Sequence, residues 1–220
     1  MEAMIQAKRV GVLISGRGSN LQALIDAQKA AEYPARIVRV ISNVADVHGL
    51  TRAEEAGIPT AVIPHKNYPD RQSFEAAIDA QLKTDQVDIV CLAGFMRVLT
   101  DGFVSAWNGR LINIHPSLLP LFKGLHTHER ALAEGVRFTG CTVHFVVPEM
   151  DSGPIIVQAA VPVLQGDTSD TLAARVLEQE HVIYPLALAM VATNKARIVD
   201  GVVHLSNVHF ANQSLTNPRE

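Results

Sequence analysis

The sequence predicts an α/β fold, a mostly parallel twisted sheet flanked by helices. Three observations carry this expectation. Apolar runs of strand length alternate with stretches of helical spacing from residue 9 to residue 107. Several runs, such as Ile89-Val90-Cys91-Leu92, are apolar without interruption, as strands covered on both faces are. A glycine-bearing loop, residues 15–20, joins the first run to the first helical stretch, the kind of connection from which parallel βα units are built.

Arg9 to Ile14 reads as a buried strand, and Leu21, Leu24 and Ile25 give the next segment one apolar helical face. Ile37 to Ile41 is the second strand, ending at Ser42-Asn43. A helix over His48 to Ala56 is stopped by Gly57 and Pro59. Thr60 to Ile63 is a short third strand. Phe74, Ala77, Ile78 and Leu82 space a helix from Ser73 to Leu82, with Ser73 as its cap. Asp88 to Ala93 is the fourth strand, with a helix near Asp101 to Trp107 beyond it. Leu111 to Ile114 is the fifth, after which Pro116 and Pro120 break regular structure. A helix from about Glu129 to Glu134 follows, then strands over Thr139 to Val147 and Ile155 to Val163. Thr168 to Glu180 is helical, and Tyr184 to Val191 continues a buried helix. A terminal hairpin turns at Asp200-Gly201.

A strand, a glycine loop and a helix gather backbone N–H groups at a helix N-terminus, where the dipole favours a phosphate. Gly18, Ser19 and Asn20 are the candidate ligands; Ser19 and Asn20 can add side-chain donors or cap the helix. The dinucleotide fingerprint wants a third glycine where Leu21 stands, and no Gly-Lys-Ser/Thr loop is present. A single phosphate therefore fits better than a dinucleotide or a triphosphate, with a plain βα turn as the alternative. The first half, about 9–107, is thus expected to be a Rossmann-like, phosphate-binding half. Residues 108–206 extend the same sheet within one domain, 1–206, and 207–220 form a polar tail.

Ligands of such sheets bind beyond the carboxyl ends of the strands. Three candidates fall there: the glycine loop, Gly94 to Leu99, and Asn113 to His115. Phe95, Met96, Val98 and Leu99 can wall a slot for a flat heterocycle or simply pack into the core. Asn113 and His115 stand two apart at a strand end, so both side chains face one side. An amide donor and an imidazole aimed together suit an oxygen that gains negative charge; the same pair can equally satisfy local backbone groups. Asp151, in the turn from Glu149 to Pro154, is either a turn former beside Gly153 or the carboxylate partner of His115. His115, His126 and His128 raise a metal reading, but no carboxylate or thiolate stands at ligand spacing, so no metal is expected.

At 220 residues and 48% apolar, the chain suffices for one large domain or two halves sharing a sheet. Nineteen Lys and Arg against 22 Asp and Glu leave a formal charge of −3 with no basic run, which argues against nucleic acid as a partner. Met1 to Arg9 holds no apolar signal core. The longest apolar run, Val182 to Ala192, has 11 residues and contains Pro185, short of the about 20 that cross a bilayer. Cys91 and Cys141 sit in strand-like runs and read as buried free thiols. A cytoplasmic protein is expected, a monomer or homodimer, with small-molecule substrates and neither nucleic acid nor membrane as partner.

In its motifs the chain resembles the glycinamide ribonucleotide formyltransferases, folate-dependent enzymes of purine biosynthesis. The matching stretches are Ser15 to Gln22, Leu92 to Arg97, Asn113 to Pro120, Gly124 to His128, Asp151 to Pro154 and Gln179 to Pro185, in order over nearly the whole chain. The stretch Asn113-Ile-His-Pro116 is shared with other folate-dependent formyl enzymes; the glycine loop and Gly124 to His128 are the specific parts. The resemblance implies the formyltransferase fold. It implies transfer of a formyl group from 10-formyltetrahydrofolate, as co-substrate, to the amino group of 5'-phosphoribosylglycinamide. It further implies that Gly18, Ser19 and Asn20 bind the ribonucleotide phosphate and that Glu180 orients the glycinamide amine. Arg71, Met96, Arg97, Val98, Leu99 and Asn113 would contact the folate, and Asn113, His115 and Asp151 would be the catalytic trio. Lys123 stands where the family pattern has a proline, which bears on the shape of that loop. The rivals are methionyl-tRNA formyltransferase, formyltetrahydrofolate deformylase and a non-catalytic phosphometabolite sensor. The first two usually carry a further RNA-binding or regulatory domain, for which 220 residues leave no room. The sensor would not need the trio.

Overall fold

The computed structural model describes residues 7–218. Five strands lie parallel: β1 (Lys8–Ile14), β2 (Ala35–Ser42), β3 (Thr60–Val62), β4 (Ile89–Leu92) and β5 (Leu111–His115). Two more, β6 (Phe138–Phe145) and β7 (Ile155–Pro162), continue the sheet antiparallel, giving the order β3-β2-β1-β4-β5-β6-β7. The helices are α1 (Ser19–Ala27), α2 (His48–Glu55), α3 (Arg71–Thr84), α4 (Asp101–Ala106), α5 (Thr127–Ala133) and α6 (Ser169–Ala192). A separate hairpin of β8 (Ala196–Val199) and β9 (Val202–Leu205) follows.

The unbroken apolar strands have a direct cause. In β1, Val10, Val12 and Ile14 enter one core, with α1 and α6, while Leu13 enters another, with Phe74 and Ile78 of α3. Side chains alternate across a strand, so a strand covered on both faces must be apolar at every position. The order reverses between β1 and β4, and the crevice at such a point is where parallel sheets take ligands.

Local chemistry sets several boundaries apart from their expected places. Asp70, not Ser73, caps α3: its Oδ1 accepts the Ser73 N–H at 2.7 Å, and the helix begins at Arg71. An acid outside the first turn reaches the exposed N–H groups, whereas Ser73 already lies inside it. Neither Ser19 nor Asn20 caps α1. Gly18 does so, at φ 71°, without a side-chain bond. A Cβ at Gly18 would lie 2.7 Å from the Gly49 Cα, so the close approach of this loop to the first turn of α2 requires glycine there. Helix α5 starts at Thr127, two residues early, after His126 at φ 58°.

Helix α6 runs unbroken through Pro185. Thr168 and Thr171 close a capping box at its start. Tyr184, fully buried, donates to the Leu92 carbonyl at 2.9 Å and the Ile112 carbonyl at 3.3 Å. The helix is thereby tied to the last residue of β4 and to β5, and Glu180, one turn earlier, comes to the rim beside Asn20. No helix among the described residues is long and apolar enough to cross a membrane. Residues 207–218 form no helix or strand; Asn217 donates to the Arg137 and Val163 carbonyls. Met1 to Gln6, within the segment expected to lack a signal core, and the last two residues of the expected tail lie outside the described residues.

Candidate active site

At the β1/β4 crevice a cavity of about 200 Å³ is lined by Ser15 to Asn20 and by Ala93, Gly94 and Met96. Three loops are joined to form it. Ser15 Oγ donates to Asn43 Oδ1 at 2.5 Å and accepts the Met96 N–H at 2.8 Å, and the Gly16 carbonyl accepts the Gly49 N–H at 3.1 Å. Ser15 and Asn43 do this without having been singled out in the sequence; their place at strand ends was the available signal. The α1 N-terminus opens on this cavity. Because Ser19 and Asn20 are free of capping duty, their groups remain for a ligand, with Asn20 Nδ2 also donating to Glu180 Oε2 at 2.6 Å. Glu180 is buried; burial pushes its pKa up, and the Asn20 amide opposes this.

The second cluster lies at the end of β5. His115 is buried, with Nδ1 3.4 Å from Asp151 Oδ2 and Nε2 3.0 Å from the Phe122 carbonyl. Asp151 Oδ2 also accepts the Gly124 N–H at 2.8 Å. One short loop therefore holds both members of the pair through its backbone. Lys123, between those two positions, extends Nζ to Ser152 Oγ at 2.5 Å and to Glu149 Oε1 at 3.4 Å, docking the loop on the turn that carries Asp151. Asn113 points the same way from β5, its Nδ2 3.3 Å from His144 Nε2, and that nitrogen is 3.9 Å from Asp151 Oδ1. Asn113, His115 and Asp151 are thus brought together as expected. His144 is an addition; as the one imidazole in a strand whose other polar side chains are threonines it could be noticed but not placed.

The expected folate contacts divide. Met96, Arg97 and Val98 are exposed on the turn after β4. Met96 borders the glycine-loop cavity, while Arg71, Val98 and Leu99 line a second cavity of about 660 Å³. Phe95 belongs to the core instead, stacked on Phe74 at 6.5 Å, and the Leu99 side chain is largely buried. Arg97 lines neither cavity. Among the described residues no group of three or more His, Cys, Asp or Glu is placed to hold a metal ion. His126 lies outside the cluster and faces Glu129 at 3.5 Å.

Residues 8–188 match the family described as formyl transferase. The chain belongs to that family. This formyl transferase is 58% identical over 190 residues to the trifunctional purine biosynthetic protein adenosine-3 of Bos taurus, a match covering 86% of this chain and 19% of that one. It therefore spans about a fifth of the length of those trifunctional relatives. It is 46% identical to the phosphoribosylglycinamide formyltransferase of Escherichia coli strain K12, over 88% of this chain and 92% of that one. Its structure is similar to that of glycinamide ribonucleotide transformylase 1 from Symbiobacterium toebii, with a TM-score of 0.88 at 47% identity, over 90% and 94% of the two chains.

Proposed function

We propose that this formyl transferase moves a formyl group from 10-formyltetrahydrofolate to the amino group of 5'-phosphoribosylglycinamide, in de novo purine biosynthesis. The observation that carries the reading is the meeting of Asn113, His115 and Asp151 on the same rim as a helix N-terminus with free donors. The ribonucleotide phosphate rests on the groups of Gly18, Ser19 and Asn20. Glu180, oriented by the Asn20 amide, accepts from the glycinamide amine. The co-substrate 10-formyltetrahydrofolate supplies the formyl carbon. The turn bearing Met96, Arg97, Val98 and Leu99 offers it exposed apolar side chains, with Arg71 at the far cavity for a negative end.

When the amine attacks the formyl carbon, the formyl oxygen gains negative charge. Asn113 donates to it through the amide N–H that His144 leaves free. His115 has an oxygen acceptor opposite each ring nitrogen, an arrangement that the doubly protonated ring satisfies. Its Nε2 is committed to Phe122, so Nδ1, held only at 3.4 Å by Asp151, is the edge left to meet the oxygen. Asp151 keeps that edge oriented. The new C–N bond forms, the proton lost by the amine passes to the departing folate nitrogen, and the old C–N bond breaks. No side chain becomes covalently attached.

The test is a spectroscopic assay with phosphoribosylglycinamide and 10-formyltetrahydrofolate, which expects turnover only with both present. Formate release with water alone would mark a hydrolase. Transfer to methionyl-tRNA would mark the RNA-directed rival, and binding without turnover a sensor.

A further inference from the structure

We propose that His144 is a positioning residue for the Asn113 carboxamide: locked in its Nδ1–H form by the Phe145 carbonyl, it presents Nε2 as the acceptor that decides which end of the amide faces the substrate. The inference rests on the reading of Asn113 as an oxyanion donor. The two ends of a carboxamide are nearly alike in shape and opposite in chemistry, one giving protons and the other taking them. An unguided Asn113 would present its oxygen to the developing charge part of the time, which is repulsive.

The structure removes that ambiguity in steps. Asn113 and His144 are direct cross-strand partners in the antiparallel β5/β6 pair, so their side chains stand on one face opposite each other. His144 Nδ1 lies 2.9 Å from the Phe145 carbonyl, which has no proton to give, so the ring proton sits on Nδ1. Nε2 then carries a lone pair and accepts from Asn113 Nδ2 at 3.3 Å; the amide oxygen could make no bond there. The titratable groups facing the ring are Asp151, with Oδ1 3.9 Å from Nε2, and His115 on β5. Asp151 favours a second proton on the ring, but burial outweighs it and lowers the His144 pKa, with His115 opposing protonation as well. Gly153 belongs to the same arrangement. A Cβ there would lie 1.6 Å from the Phe145 oxygen and 3.2 Å from His144 Nδ1, so only glycine lets the Asp151 turn close over this carbonyl.

The test is a double-mutant cycle in kcat with the full chain, using His144→Leu and Asn113→Ala. His144→Leu is expected to lower kcat about three- to tenfold, the value of one hydrogen bond, with both KM values unchanged. His144→Gln, whose amide oxygen can accept from Asn113, is expected to recover most of the loss. In the Asn113→Ala background His144→Leu should change kcat by less than about twofold, since it acts through Asn113. A full second loss there, or an unchanged kcat in His144→Leu alone, overturns the inference. An Asn113→Ala enzyme with wild-type turnover would instead sink the oxyanion reading beneath it. Should His144→Leu not fold, ¹⁵N imidazole spectra of the wild-type protein decide: a neutral Nδ1–H ring supports the proposal, and an Nε2–H or charged ring refutes it.

Discussion

Replacing His115 by alanine separates the chemistry from the binding. The imidazole is buried at the end of β5, where a donor to a developing negative charge is not screened by water. Losing one such donor costs about 10²–10³ in kcat, or about 2.7–4 kcal/mol in the barrier. The same change strips the Phe122 carbonyl of its partner at 3.0 Å. An unpaired buried carbonyl costs about 1–3 kcal/mol of stability, a few degrees of Tm in a chain of this size. Ribonucleotide binding should survive, because the Gly18–Asn20 loop and Glu180 are joined to each other and make no hydrogen bond to His115. Steady-state formyl transfer at saturating substrates, beside calorimetric titration of the ribonucleotide, measures both quantities. The expected result is kcat down by about two to three orders of magnitude with Kd within about threefold. Wild-type turnover, or a loss carried by KM alone, would refute the assignment of His115.

Asp151→Asn keeps the shape of the turn but gives up the carboxylate that faces His115 and accepts the Gly124 N–H; kcat is expected to fall at least about tenfold, with ribonucleotide affinity retained. Glu180→Gln loses a charge-assisted contact, so ribonucleotide affinity measured by calorimetry should weaken by about ten- to a hundredfold, with the fold intact. Burial pushes the Cys91 and Cys141 thiols up to about 12, so neither should react with a disulfide reagent near neutral pH until the chain is unfolded, and both should react then. The Arg175 guanidinium, paired with Asp167 at 2.7 Å, holds that carboxyl well below its usual range. A lowered folded pKa gives stability that is present above the unfolded value, about 4, and is lost as pH falls toward the folded one. The Tm gap between wild type and Asp167→Asn, followed by calorimetry, should therefore narrow steadily from pH 5 downward, and a gap constant with pH would contradict the pairing.

What could be read from the residues alone was what depends on side-chain identity and local period. The continuous apolar strands require cover on both faces, and the i, i+2 spacing of Asn113 and His115 at a strand end requires a shared direction. The parts that escaped have no such signature. The loop that holds His115 and Asp151 does so with a carbonyl at Phe122 and an N–H at Gly124, groups that every non-proline residue carries, so composition cannot reveal which of them converge. His144 stands opposite Asn113 only through the pairing of β5 with β6, two strands separated by the whole of α5, and register between such distant strands leaves no local mark in the sequence. The Ser73 cap failed for a related reason: Asp70 and Ser73 are both competent, and only the entry angle of the chain chooses between them. Lys123 makes the point in reverse. A change of residue type at 123 suggests an altered loop, yet the contacts that hold His115 and Asp151 come from its neighbours' backbone, while the Lys123 ammonium fastens the loop to the Asp151 turn from outside. In the proposed reading the chemistry falls to side chains that can be named in advance, and their orientation to backbone groups that only the folded chain brings together.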